Sequence, residues 1–274
     1  MDDTNIEVKW ATYWNSLLGR FNNFIRQQEV PEAIRYIQNS IALYAWITED
    51  ISSKLTRNQN DANKLNLFLV QGFDLLRGSL HFQKNILLAP AALSARTAFE
   101  GYCNLKFMLS RNDVATYIDR FHRFSEVEKI IGQKNSINLP DPTQEEIDNL
   151  LLRNPEWRDP GRPGKIQKKP HWSAEPGMNL RKVATLAGIE NEYLSIYPTT
   201  SKFTHVNPIA INLYTQTRGL GPIPDKKQVT RMTLFTTHFC INTLQLYCKY
   251  FGVEFPELDY AHICQDFITL SRQL

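Results

Sequence analysis

Apolar residues recur at three- and four-residue spacing through most of this chain, the period of a helix with one buried face. Asn5–Gln28 carries Trp10, Trp14, Leu17, Phe21 and Phe24 in such a stripe. Pro31 suits the first turn of a second helix at about Glu32–Leu55. Polar residues at Thr56–Asp61 break the pattern, and it resumes over Ala62–Leu88. Pro90 then opens Ala91–Leu109, and Asp113–Lys134 follows. Later stretches with the same period are Thr143–Arg153, Asn179–Ala187, Glu190–Thr204 (broken or kinked at Pro198), His205–Gln216, Lys227–Phe251 and Glu257–Arg272. Thr143 and Glu146 stand as a capping box. No stretch shows clear period-two alternation, and no repeat is present. The expectation is an all-α fold, a single bundle over 1–274 with long antiparallel helices. Within it, 1–56 would form an N-terminal helical hairpin and 60–250 the main body.

The pattern lapses over Asn135–Gly177, where seven prolines stand in 43 residues. This predicts a long irregular loop, an excursion from the bundle rather than a second domain. A loop of that length in a compact domain is usually functional. It gathers Arg158, Arg162, Lys165, Lys168 and Lys169 around Trp157 and Trp172. Cations would meet phosphates, and Trp157 or Trp172 could stack on a base. The competing reading is a solvated strap whose two tryptophans anchor it to the helices.

Composition narrows the class. The net charge of +3 is too small to imply a nucleic-acid partner, so any basic surface must be local. Cys103, Cys240, Cys248 and Cys264 form no CxxC pair and lie in helical patterns. Together with a beginning that has no apolar signal-like run, they predict a cytoplasmic chain with buried thiols. No apolar run reaches the roughly 20 residues that span a bilayer, so no membrane association is expected. The six histidines are scattered, no paired metal-ligand spacing occurs, and no glycine-rich phosphate loop follows a strand. No cofactor and no metal is expected.

Two constellations remain. Arg96 and Glu100 are four apart in the mostly apolar Ala91–Leu109, so they share a helix face. Leu93, Ala95, Phe99, Cys103 and Phe107 around them suggest a helix buried nearly all round, where a charge pair needs partners or a task. Ser201 and His205 are also four apart, and His205 would be an acid or base aimed at whatever Arg96 and Glu100 hold. The alternatives are a buried structural network and, for Arg96 with Glu100, an ordinary intrahelical ion pair on a partly exposed face. Arg77 and His81 are separated by three residues, against the four to six of the HEPN superfamily of helical ribonucleases, and the flanking polar residue of that motif is absent.

The stretch ALSARTAFEGYCNLKFML resembles the R-x3-E helix of a widespread bacterial family of helical proteins of unknown function. WSAEPGMNLRKVATLAGIENEYLSIYPTTSKFTHVNP resembles the same family's later signature, a tyrosine followed by S-x3-H. The matching positions are Arg96, Glu100, Tyr197, Ser201 and His205, and the likeness covers roughly 60–250. It implies an all-α, HEPN-like architecture and a role in defence, with no settled activity. Two functional expectations follow. The first is a bacterial defence or toxin-type effector acting on RNA or a nucleotide, with ribonuclease-like chemistry that needs no metal. Arg96, Glu100 and His205 would be catalytic, with Tyr197 and Ser201 supporting. The second is a non-catalytic interaction module or anionic-ligand sensor, with the aromatic N-terminal helix meeting a protein partner or a second copy.

Overall fold

The computed structural model describes residues 30–54, 59–135, 140–204 and 226–273. Among these the helices are α1 (Pro31–Lys54), α2 (Gln59–Asn85), α3 (Leu88–Leu109), α4 (Val114–Lys134), α5 (Gln144–Arg153), α6 (Leu180–Leu186), α7 (Glu190–Thr204), α8 (Lys226–Phe251) and α9 (Glu257–Gln273). Two short strands, β1 (Arg158–Asp159) and β2 (Arg162–Ile166), follow a 3₁₀ turn at Pro155–Trp157. The fold is all-α, as the hydrophobic period predicts. The helices expected at Asn5–Gln28 and His205–Gln216 lie outside the described residues. Two compact units can be distinguished. Unit 1 takes in α1, 69–102, and the chain from Glu192 on; unit 2 takes in residues up to Phe68 from α2, and Cys103–Asn191.

In unit 1, α1 packs on α8 and α9, which also pack on each other. Tyr36, Ile37 and Tyr44 of α1, Leu76 of α2, Phe99 of α3, and Phe239 and Tyr247 of α8 are all buried. The isoleucine, leucine and phenylalanines among them each contribute about 1.5–3 kcal/mol by leaving water. Three buried threonines of α8 donate their hydroxyls to their own helix: Thr236 to the Met232 carbonyl at 2.9 Å, Thr237 to Thr233 at 2.9 Å and Thr243 to Phe239 at 2.8 Å. Gln83 of α2, fully buried, is met on both sides by α8. Its amide donates to Thr230 Oγ1 at 3.1 Å and its carbonyl oxygen accepts from Thr233 Oγ1 at 2.8 Å.

The turn between α2 and α3 is tighter than Pro90 alone suggests. Helix α3 begins at Leu88, two residues before the proline. Proline is tolerated there because first-turn N–H groups have no intrahelical partner. Ile86 closes α2 with φ of 54°, and the Leu87 N–H donates to the Phe82 carbonyl at 3.0 Å. That is a Schellman-type end with isoleucine in the place usually given to glycine. The left-handed conformation costs roughly 1–2 kcal/mol for a residue with a Cβ. Burial of Ile86 against Leu88, Ala92, Val229 and Met232 offsets it.

Gly72 stands in mid-helix, where glycine is about 1 kcal/mol worse than alanine. Its lack of a side chain has a use. The Tyr44 hydroxyl lies against it on the way to the Leu69 carbonyl, which it reaches at 2.9 Å. An added Cβ would run into that hydroxyl. Gly72→Ala is therefore expected to destabilise by about 1–3 kcal/mol despite better helix propensity. Tyr44→Phe should recover part of the loss in a double-mutant cycle read by urea unfolding. A stabilised Gly72→Ala single variant would contradict this packing.

Unit 2 is built on α4, α5 and the strap that follows. The capping box forms as expected: Thr143 Oγ1 accepts from the Glu146 N–H at 3.2 Å, and the Thr143 N–H donates to Glu146 Oε2 at 2.7 Å. Helix α5 packs on α4, on the 3₁₀ turn and on β2. The irregular loop expected over Asn135–Gly177 is thus partly regular. Strands β1 and β2 pair antiparallel, with Arg158 opposite Ile166 and Asp159 opposite Arg162. The Pro160-Gly161 turn is fixed by Asp159, whose Oδ1 accepts from the Gly161 N–H at 2.9 Å. The hairpin is too short, and too rich in proline, to show alternation in sequence.

Candidate functional site

Helix α3 is not sealed all round. Ala91, Ala92, Ala95, Ala98, Phe99 and Cys103 are buried, but Leu93 is 43% exposed, and Arg96, Thr97 and Glu100 line the same open stripe. The expectation of a helix buried nearly all round is corrected. The side chains of Arg96 and Glu100 retain 23% and 38% exposure. The small alanines let α3 bury one side closely, and the charges take the side that water reaches.

Arg96 is held from two directions. Its Nε donates to Glu100 Oε1 at 2.8 Å, along the helix. Its Nη2 donates to the hydroxyl of Tyr197 on α7 at 2.6 Å. The guanidinium carbon also lies 4.5 Å from the Tyr197 ring centroid, a cation–π distance. Tyr197 is fixed in turn. Tyr193, one turn earlier on α7, stacks on it at 4.9 Å and 18°, and Tyr193 meets Phe99 of α3 at 6.3 Å. Burial works to lower the pKa of Arg96, but the hydrogen bond and charge of Glu100, with Tyr197, outweigh it, so the pKa lies above its ordinary value. The cation is therefore permanent.

The geometry brings together three of the residues singled out by sequence, Arg96, Glu100 and Tyr197. Ser201 is half-buried one turn beyond Tyr197, and its hydroxyl donates to the Pro198 carbonyl at 3.2 Å. Helix α7 runs on through Pro198 to Thr204. His205 lies outside the described residues. Tyr193 is the contributor that sequence reasoning missed; its four-residue spacing to Tyr197 was the available signal. Chemically, a planar cation with a fixed orientation beside a carboxylate and a phenol can receive an anion such as a phosphate. Among the described residues no cluster of three His, Cys, Asp or Glu side chains could hold a metal ion.

The second set of sequence candidates lies in unit 2. Trp172 is buried: its ring meets Phe107 at 5.6 Å and Phe121 at 5.2 Å edge-on, and its Nε1 donates to Asn104 Oδ1 at 3.2 Å. A ring enclosed in this way has no face for a base, so the stacking role expected of Trp172 is replaced by anchoring. Trp157 is equally enclosed and donates to the His171 carbonyl at 2.8 Å. The cations differ. Arg158, Arg162, Lys165, Lys168 and Lys169 are all exposed on the hairpin or just after it. Arg162 is oriented by Asp159 Oδ2 at 2.7 Å, and Lys165 donates to Gln144 Oε1 at 3.2 Å.

The fold and this cluster define an all-α protein with an arginine-centred polar site on a half-open helix face. The chain belongs to a family of unknown function, DUF5677, whose model matches residues 65–221. That span holds Arg96, Glu100, Tyr197 and Ser201 as well as the strap of unit 2. Comparison with curated proteins and with solved structures returns no match. Among the described residues no helix is long and apolar enough to cross a membrane.

Proposed function

We propose that the chain is a HEPN-like effector of the defence or toxin type that acts on RNA or a nucleotide, with Arg96 receiving a phosphate. One observation carries this reading: Arg96 is clamped between Glu100 and Tyr197 while part of its side chain stays in contact with water. An arginine held only to join helices would gain little from such exposure, since exposed ion pairs add at most about 0.5–1 kcal/mol. In RNA cleavage without a metal, a 2′-hydroxyl attacks the adjacent phosphorus and the 5′-oxygen leaves. Arg96 would offset the charge that grows on the phosphate oxygens, with Glu100 fixing its plane. His205 would carry the proton to or from the reacting oxygens. Ser201 and Tyr197 would support by hydrogen bonding.

The test is RNA cleavage by the purified full chain, paired with growth after induction in cells. Arg96→Ala and His205→Ala are expected to lose roughly 100-fold or more in rate, the usual cost of removing one group that stabilises transition-state charge. Arg96→Lys should recover little, because an ammonium cannot reproduce the two-directional clamp. Thermal unfolding should stay within a few degrees of wild type. Full activity in a folded Arg96→Ala protein would end this proposal. Loss of anion binding in Arg96→Ala, with no cleavage by wild type, would point to a sensor instead.

A further inference from the structure

We propose that unit 2 carries a second anion site, a cleft beside the β1–β2 hairpin that takes adjacent phosphate groups. The cleft has a volume of ≈ 560 Å³ and lies among the end of α4, the start of α5, and β2 with its continuation. That is within the usual range for small-ligand sites, roughly 300–1,000 Å³. Its cations are Lys134, Arg162, Lys165 and Lys168, against one carboxylate, Asp141. Its floor is apolar, with Ile130, Ile131, Ile147 and Ile166.

Three features set this cleft apart from a merely solvated surface. The first is contrast. A neighbouring hollow of ≈ 420 Å³ between α4 and α5 is charge-balanced, with Glu126 and Glu146 against Lys129 and Arg153. The second is the lack of internal compensation. Among the described residues Lys134 and Lys168 pair with no carboxylate, so their charge is left for something else. The third is order. Gln144 at the start of α5 donates to the Gly164 carbonyl at 3.0 Å and accepts from Lys165 at 3.2 Å, while Asp159 aligns Arg162. Two of the cations are thereby presented by a braced hairpin, which lowers the entropy cost of gripping an anion.

No aromatic side chain lines the cleft, so base stacking is not its mode. Recognition rests on phosphate charge, with a sugar or base resting on the isoleucines. A nucleoside triphosphate and single-stranded RNA both supply that chemistry. This goes beyond the Arg96 reading: it uses no residue of unit 1, and its test reads binding rather than cleavage.

The experiment is fluorescence polarisation of the full chain with a labelled eight-nucleotide oligo-uridine RNA and, separately, with a labelled adenosine triphosphate, over a salt series. Lys165→Gln with Lys168→Gln is expected to weaken binding about tenfold or more. For RNA it should also lower the salt slope by roughly 1.4, the share of two phosphate contacts on a single strand. Lys134→Gln should act in the same direction. Lys129→Gln, in the balanced hollow, should leave affinity unchanged. All four positions line open clefts, so the variants should melt like wild type. RNA binding with this dependence supports the cleft with RNA as its source of phosphates. Triphosphate binding alone, with the same dependence, supports it with a nucleotide. Overturning results are no binding of either probe at low salt, or binding that the lysine variants leave intact.

Discussion

Replacing Trp157 by alanine is expected to cost unit 2 about 3–5 kcal/mol. The residue is fully buried, packed on Val127 and Leu150 with Phe124, Ile130 and Ile166 around it. Its ring centroid is 5.7 Å from that of Phe124. Two losses add. Deleting the indole empties a volume that α4, α5 and β2 all border, and such cavities collapse only in part. It also removes the indole N–H that donates to the His171 carbonyl at 2.8 Å, leaving that carbonyl with the Ala174 N–H alone, at 2.9 Å. Trp157→Phe separates the terms. It keeps most of the packing and loses the hydrogen bond, so about 1–2 kcal/mol is expected. Hydrogen exchange of the amides over Arg158–Ala174 in urea is the suitable measurement, because it reads this strap directly. A Trp157→Ala cost below about 1 kcal/mol would mean that the strap is held by something else. The consequence reaches function: the same strap presents Arg162 and Lys165, so phosphate binding should weaken alongside stability.

Much of this was legible in the sequence, and the reasons are specific. Long amphipathic helices announce themselves by period, so α2, α3, α4, α8 and α9 fall within about three residues of expectation. A partner for the arginine helix about a hundred residues later was expected at Ser201 and His205, with Tyr197 named only through the family resemblance; it is Tyr197 that meets Arg96, at 2.6 Å. The degree of burial was not legible. Leu93 reads as core by type, yet it is exposed, since a stripe of small alanines gives α3 all the apolar contact it needs on one side. The β1–β2 hairpin was hidden by its prolines. Lys134 was hidden because it ends a helix well separated in sequence from the basic strap, and only the packing of α5 on β2 brings them to one cleft. Tyr193 was hidden for the opposite reason: a tyrosine on a helix reads as ordinary core until its stacking on Tyr197 is seen.

Acidification should weaken unit 1 through one residue, His238. This histidine on α8 stacks on Phe267 of α9 with centroids 4.4 Å apart and planes at 15°. Its Nε2 is 2.9 Å from the Asn242 amide nitrogen. The Tyr260 hydroxyl donates to the other end of that amide, Asn242 Oδ1, at 2.6 Å. With Oδ1 so engaged, the amide nitrogen faces His238 as a donor, and Nε2 must accept. A protonated imidazole cannot. Burial alone lowers the pKa of His238, to about 4. In the unfolded chain it titrates near the usual 6.5. Between those values the unfolded state binds more protons, so stability is full above about pH 6.5 and falls as the pH drops towards about 4. The integrated loss is about 3 kcal/mol. His171 in unit 2, also lowered to about 4 by burial, is nearer solvent and should contribute less. Urea unfolding at pH 4.5, 5.5, 6.5 and 7.5 measures the slope. His238→Phe keeps the stack on Phe267 and removes the titration. It should lose roughly 1–2 kcal/mol at pH 7.5, where Asn242 is left without its acceptor, yet lose less than wild type on acidification. Carboxylates protonate alike in both proteins, so they cancel in the comparison. Equal pH slopes for the two would remove His238 from the acid response and place that response in the carboxylates and His171.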